Sequence, residues 1–284
     1  MNPQNPVPAT EVRSADAGLV RPLLALESLH WIGSGLVRPE CVLACVDGSV
    51  IAADWRGGAC VVGADGRQRL WRGQRPDGRA LKPNGIAPAG DGGLLLAQLG
   101  DDDGGIWHLA ADGRATPWLV ELDGLPLPPT NFVLPDGAGG AWVTVSTRRH
   151  PRTSAWHAEA DGGGDGFIVH VDVQRRARIV ADGLGYTNEV ALHPTGRWLY
   201  ANETFGCRLS RFALLGDGRL GPREDVVRFG AGTFPDGLAF DVEGGAWVVS
   251  IFSNRLLHVA PDGTVTLWLE DTTPEYLVEI EAAF

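Results

Sequence analysis

TFPDGLAFDVEGGAWVVSIFSNRLLHVAPDG, residues 233–263, decides the fold. Asp236-Gly237 opens it. An apolar strand pattern follows, then an acidic-Gly-Gly turn ending at Gly245, a Trp-Val-Val strand, a polar turn and a third strand ending in Asp262-Gly263. The glycines supply turn conformations closed to other residues, and the β-branched and aromatic side chains suit twisted strands.

Working outward, weaker copies of this unit start at Glu40, Asn84, Asn131 and Asn188, and GGAWVTV of residues 139–145 nearly repeats GGAWVVS of residues 244–250. The leading residues are 44, 47, 57 and 48 positions apart, and the longest step holds an insertion, residues 148–165. Four-stranded propeller blades have a period of about 40–50 residues. One such sheet has two apolar faces and buries both only when packed radially against its like. The chain therefore reads as an all-β propeller with five clear blades. Residues 19–37 and 264–284 are what remains for another, so the last blade is degenerate or truncated and an open ring edge is expected. A β-sandwich is the runner-up, but it has no need of a recurring leading residue. No amphipathic helical segments separate the strands, which disfavours a parallel doubly wound sheet. One short helix is expected at PEYLVEIEAA, residues 274–283. Residues 1–18 read as a flexible tail and 19–284 as one domain.

The chain is 44% hydrophobic and 21% charged, with 39 Gly and 19 Pro scattered at turn positions. That suits many short strands and tight turns. A formal charge of −11 disfavours extended nucleic-acid binding. The one basic cluster, Arg148, Arg149 and Arg152 around His150, reads either as a solvated loop or as a rim attracting anionic substrates. Cys41, Cys45, Cys60 and Cys207 lack metal spacing and read as core thiols in a reducing compartment, the cytoplasm. No signal-like or membrane-spanning apolar run occurs.

The first strand of each blade lines a central channel, so Glu40, Asn84, Asn131, Asn188 and Asp236 are expected to converge at one rim. Two carboxylates and three carboxamides offer oxygen, which suits Ca²⁺, Mg²⁺ or Mn²⁺, with Zn²⁺ in borderline geometry. Asn84-Gly85 and Asp236-Gly237 also read as plain turns. Thr147, His150, Tyr186, Glu203 and Asn254 fall near the same rim. His150 reads as a proton shuttle or substrate donor, or as a surface histidine. His108, His170 and His258 read as partly buried outer-strand residues, and Trp107, Trp142, Trp198 and Trp247 as inter-blade core near the second strands. There is no Gly-x-Ser-x-Gly elbow, phosphate loop or dinucleotide fingerprint.

RPE at residues 38–40, PNG at 83–85, TNFVLPDGAGGAWVTVST from Thr130, TNEVALHPTGRWLYANET from Thr187 and FPDGLAFDVEGGAW from Phe234 stand in fixed order and phase. With these marks, residues 37–263 resemble the regucalcin, gluconolactonase and luciferin-regenerating-enzyme-like family. The resemblance implies a six-bladed β-propeller with one divalent metal in its channel, and sugar lactonase activity. It assigns metal binding to Glu40, Asn188 and Asp236, and substrate contact to Asn131. The chain departs from the family where Pro129 replaces an arginine, where Glu189 follows Asn188 in place of glycine, and in the eroded last blade.

The expected function is hydrolysis of a sugar lactone or similar small lactone by a metal-activated water. Asp236 binds metal and orients or deprotonates the water, Glu40 and Asn188 fix the metal, and Asn131, Asn84, His150 and Tyr186 contact substrate. The partner is a small molecule, with no nucleic acid and no membrane. The rival readings are a metal-dependent hydrolase of another ester or phosphoester, and a non-catalytic calcium-binding or protein-binding propeller.

Overall fold

The computed structural model describes residues 10–11, 23–101, 103–160, 163–230 and 232–283. Five four-stranded antiparallel sheets follow one another along the chain, each a meander in sequence order. The first blade comprises Val42–Ala44, Val50–Asp54, Gly58–Val62 and Gln68–Arg72. The second comprises Pro83–Pro88, Leu94–Gln98, Ile106–Leu109 and Ala115–Leu119. The third comprises Thr130–Pro135, Ala141–Val145, Gly166–Val171 and Ala177–Leu184. The fourth comprises Thr187–Leu192, Trp198–Glu203, Arg208–Leu214 and Leu220–Arg228. The fifth comprises Phe234–Phe240, Ala246–Ile251, Arg255–Val259 and Val265–Glu270. The helix Pro274–Ala283 lies where the sequence places it. The expected N-terminal tail falls outside the described residues except for Thr10–Glu11, which pair in parallel with Val227–Arg228.

Alternate residues of each strand face opposite neighbours, so the core forms between blades. Ala97 and Ile106 of the second blade meet Ala141, Val143 and Val145 of the third. Leu209 and Tyr200 of the fourth meet Leu238 and Val248 of the fifth. Innermost strands pack side by side from the second blade through the fifth. The series does not close with a sixth sheet among the described residues. Thr144 of the third blade is fully buried, whereas Val249, at the matching position of the fifth, is 46% exposed. Val42 and Val46 of the first blade are exposed as well. Residues 24–37 run past this break: Leu24 N–H donates to Trp268 O at 2.7 Å, and Ser34 N–H to Gln68 Oε1 at 2.6 Å.

The histidines sit on third strands and do more than the sequence indicates. His108, His170 and His258 each bond an aspartate of the turn between the first two strands, Asp91, Asp136 and Asp241, at 3.2, 3.0 and 2.8 Å. Those aspartates also accept the N–H of Gly93, Gly140 and Gly245. In the third and fifth blades a tryptophan packs on the histidine, Trp142 on His170 at 4.5 Å and Trp247 on His258 at 4.8 Å. A Cβ at Gly245 would run into His258 Nε2, which is why this turn ends in glycine. Trp107 belongs to the third strand of its blade, next to His108, and Trp142, Trp198 and Trp247 to second strands. His170→Ala is expected to cost about 1–3 kcal/mol by leaving Asp136 Oδ2 without its imidazole partner. Adding Asp136→Ala should cost less than the sum of the two single changes, as checked by urea melts of both singles and the double.

None of the four cysteines is in a disulfide. Burial pushes the Cys41 thiol up to about 12, so it is inert core.

Candidate functional site

Four of the five leading residues lie on a bulge. Pairing between the two inner strands slips between Pro83 and Ile86, Thr130 and Phe132, Thr187 and Val190, and Pro235 and Leu238. A bulge leaves a residue outside the ladder and re-aims its side chain. Asn84, Asn131, Asn188 and Asp236 occupy these slips. Glu40 is placed by a tight turn in which Glu40 N–H donates to Arg38 O at 2.9 Å and Arg38 takes φ +51°. A non-glycine residue in that region is uncommon. The turn sets Arg38 and Glu40 side by side.

The five side chains form two strings. Arg38 pairs with Glu40 at 2.6 Å and donates to Asn84 Oδ1 at 2.6 Å, and Asn84 Nδ2 donates to Asn131 Oδ1 at 3.2 Å. Asn188 Nδ2 donates to Asp236 Oδ1 and, at 3.0 Å, to Thr204 Oγ1. The strings meet electrostatically. Desolvation, with the Glu40 charge second, pushes Asp236 up to about 7, against the Asn188 hydrogen bond and the Arg38 charge. Asn188 Oδ1 is buried with no hydrogen-bond partner.

Three groups of the fourth blade hold the Asp236 bulge. Asn202 Nδ2 donates to Asp236 O and Gly237 O, both at 3.0 Å, and Thr204 Oγ1 donates to Pro235 O at 2.8 Å. Glu189 Oε2 accepts Leu238 N–H at 2.8 Å. Glu189 is half-buried, yet enclosure by protein drives its carboxyl up to about 8, and the Asp236 and Glu40 charges add to this. Glu189 is thus a third acidic group at this mouth. Among the described residues no three His, Cys, Asp or Glu side chains cluster closely enough to hold a metal by themselves.

Tyr186 takes φ +66° and packs edge-on against Phe205 at 4.9 Å. Burial raises its phenol, which bonds Ser146 and feels both Asp236 and Glu40. His150 lies in the insertion, 6.1 Å ring to ring from His157. Glu203 is not a rim group. It is fully buried, accepts Gly185 N–H at 2.7 Å and pairs with Arg208 and Arg223 at 3.2 Å, fixing the turn before Tyr186. Thr147 bonds Asp165 at 3.1 Å, and Asn254 bonds Asp271 O at 3.1 Å.

Arg38, Glu189, Asn202 and Thr204 stand within motifs of the sequence, but the sequence gives none of them a role at the site. Only Glu189 carries a signal, as an acid where glycine is usual. Grooves of about 660 and 490 Å³ open at the turns that end the innermost strands, lined by Asp91, His108 and Trp118 and by Asp136, His170 and Leu214. They share no residue with the mouth cluster.

The donor set fits a divalent cation: two carboxylates in mutual repulsion and a carboxamide oxygen without a donor. Such an ion would have Glu40, Asn188 and Asp236 as its candidate donors.

Fold and site together define a β-propeller with an oxygen-donor cluster at its channel mouth. The SMP-30/gluconolactonase/LRE-like sequence profile matches residues 31–270, and the chain belongs to that family. Among curated proteins it is 34% identical over 176 residues to a 6-deoxy-6-sulfogluconolactonase of Pseudomonas putida, covering 61% of this chain and 56% of that one. It is 28% identical over 207 residues to protein STRICTOSIDINE SYNTHASE-LIKE 13 of Arabidopsis thaliana, covering 70% and 48%. The chain spans about half the length of these curated relatives. Among solved structures, a luciferin-regenerating enzyme superposes with TM-score 0.63 at 13% identity over 84% of this chain and 78% of that one. A gluconolactonase of Xanthomonas campestris gives 0.62 at 20%, over 80% and 73%. The calcium-binding protein regucalcin of Agrobacterium tumefaciens gives 0.58 at 21%, over 81% and 76%. Identities this low carry the fold alone.

Proposed function

We propose that the protein hydrolyses a small lactone, a sugar lactone first, with one divalent cation held by Glu40, Asn188 and Asp236. The observation that carries this is the orphaned Asn188 Oδ1, buried in a side chain bonded to Asp236, whose carboxylate Glu40 repels. When bound, the ion supplies Lewis-acid polarisation of the carbonyl and acidifies water. The sulfogluconolactonase relative supports an aldonolactone as substrate.

The chain's own groups do the rest. Asp236, held by Asn202 and Thr204 through its bulge, receives the proton of the attacking water. The water oxygen adds to the carbonyl carbon, the bond from that carbon to the ring oxygen breaks, and the ring oxygen leaves as an alcohol after regaining a proton. The Asn84 bond fixes the Asn131 carboxamide, so its Nδ2 is oriented to donate to a substrate oxygen as charge develops. Tyr186 forms an apolar and hydroxyl wall, and His150 guards the outer entrance. No described helix is long and apolar enough to cross a membrane. Four cysteines without a disulfide fit a reducing compartment, for which we take the cytoplasm.

The test is an aldonolactone panel on chelator-stripped protein, then on protein reloaded with Ca²⁺, Mg²⁺, Mn²⁺ or Zn²⁺, read by acid release. Hydrolysis that returns only on reloading is expected. If no reloaded form opens any lactone, the reading fails, and ester and phosphoester substrates or plain cation binding take its place.

A further inference from the structure

Arg38 stands where a glycine would be at ease. Its φ of +51° lies in the left-handed region, and its carbonyl accepts Glu40 N–H at 2.9 Å. A non-glycine residue persists in that region only when its surroundings over-determine it. Here three contacts do so. Nη2 pairs with Glu40 Oε2 and Nη1 donates to Asn84 Oδ1, both at 2.6 Å. The guanidinium also lies over the Trp55 ring, 4.6 Å from its centre. That ring is itself tied to both sides: Trp55 N–H donates to Val37 O at 2.9 Å and Nε1–H to Pro83 O at 3.0 Å. Lys82, the other cation over it at 5.4 Å, is taken up by Asp101 at 2.7 Å.

These contacts set a fixed positive charge on one of the candidate ion donors. Among the described residues Arg38 is the only salt-bridge partner of Glu40. A guanidinium keeps its proton at any working pH and has no acceptor atom, so it cannot itself become a ligand. An ion that reaches Glu40 therefore meets a cation already bonded to that carboxylate, and the two like charges repel. The pair is not sealed off. The Arg38 side chain is 34% exposed, so water can receive the guanidinium when Glu40 gives it up. We propose that Arg38 is the resident counter-cation of the mouth: it neutralises Glu40 in the metal-free protein, competes with a divalent ion for that carboxylate, and so sets how tightly the ion is held. This rests on the cation site of the reading above and is independent of the substrate.

The experiment is calorimetric titration of the chelator-stripped protein with Ca²⁺ and with Mn²⁺, for wild type, Arg38→Met, Arg38→Gly and Arg38→Lys, with thermal melts of the metal-free forms. Methionine keeps an apolar stem beside Trp55 and removes the charge. Glycine removes the charge and the backbone strain together, which makes it the variant least exposed to misfolding. Both are expected to bind the ion about ten- to hundredfold more tightly than wild type. Arg38→Lys keeps the charge without the fork and should fall between wild type and Arg38→Met. Without metal, Arg38→Met should melt below wild type, because Glu40 has lost its partner. Tighter ion binding on a weaker metal-free fold is a pairing that a purely structural arginine does not give, since loss of structure lowers both. Unchanged or weaker ion binding in Arg38→Met or Arg38→Gly overturns the proposal. If wild type binds neither ion, a gain of binding in either variant supports it, and no binding in any form overturns it together with the cation site. Ion binding by wild type without opening of any lactone removes the lactone reading alone, and the comparison of affinities still decides.

Discussion

Asp236→Asn is expected to abolish measurable lactone turnover, a loss of about 10²–10⁴-fold or more, and to raise the thermal midpoint of the metal-free protein at pH 7–8. The two effects have one origin. Asp236 is enclosed beside Glu40 and Glu189, and its charged form is disfavoured by desolvation first and by Glu40 second. Asparagine keeps the shape and the acceptor for Asn188 Nδ2 while removing that charge. The proton acceptor is lost, cation affinity falls, and the folded chain is relieved of a repulsion. Opposite signs for activity and stability distinguish this from simple misfolding, which lowers both. The measurement is a lactone assay, a calorimetric metal titration and a thermal melt of the same preparation. Full metal-dependent hydrolysis by the variant would remove Asp236 from its role.

The second large effect is in the pH dependence of the metal-free protein. Asp236 and Glu189 have native carboxyls near 7 and 8, against ordinary values of 3.8 and 4.5. Between those limits the folded chain holds protons that the unfolded chain releases, so stability falls as pH rises from about 4 to about 8. The opposite sign holds for Asp54 and Asp165. Hydrogen bonds from Arg56 to the first, and from the backbone of Arg148 and Arg149 to the second, outweigh burial and hold both low. Their support is present above the ordinary aspartate range and is lost as pH falls through their depressed native values. The metal-free protein should therefore be most stable in mild acid. A cation at the mouth takes the place of the protons, so the thermal shift on adding excess Ca²⁺ or Mn²⁺ should grow with pH and be largest near pH 8. For a chain of this size each kcal/mol moves the midpoint by about 2 °C. A shift of the same size at pH 5 and pH 8 would contradict this account.

The fold was legible because its signals are local and repeated. GGAWVTV and GGAWVVS each specify a turn and a strand within seven residues, and the leading acids and amides keep phase over five blades. The five leading residues were legible as a recurring set for the same reason. What the sequence conceals are bonds that cross between elements. Asn202 holds the carbonyls of Asp236 and Gly237 from another blade, 34 residues away. The Asp136–His170 bond depends on which strand pairs with which, and strand periodicity alone marks His170 only as half-buried. The three arginines of the insertion are alike in sequence, and only the position of Asp165 separates Arg148 and Arg149 from Arg152. The lack of a sixth sheet among the described residues was visible too, as a shortage of residues, but not that segment 24–37 would run past that gap.

That break gives the cation a mechanical consequence. Glu40 belongs to the first sheet and Asp236 to the last, so an ion held by both would act as a clasp between the two ends of an arc. Loading it should slow amide hydrogen exchange in Val42–Ala44 and Phe234–Phe240 together, strands nearly two hundred residues apart, while Gly166–Val171 on the far side of the arc exchanges as before.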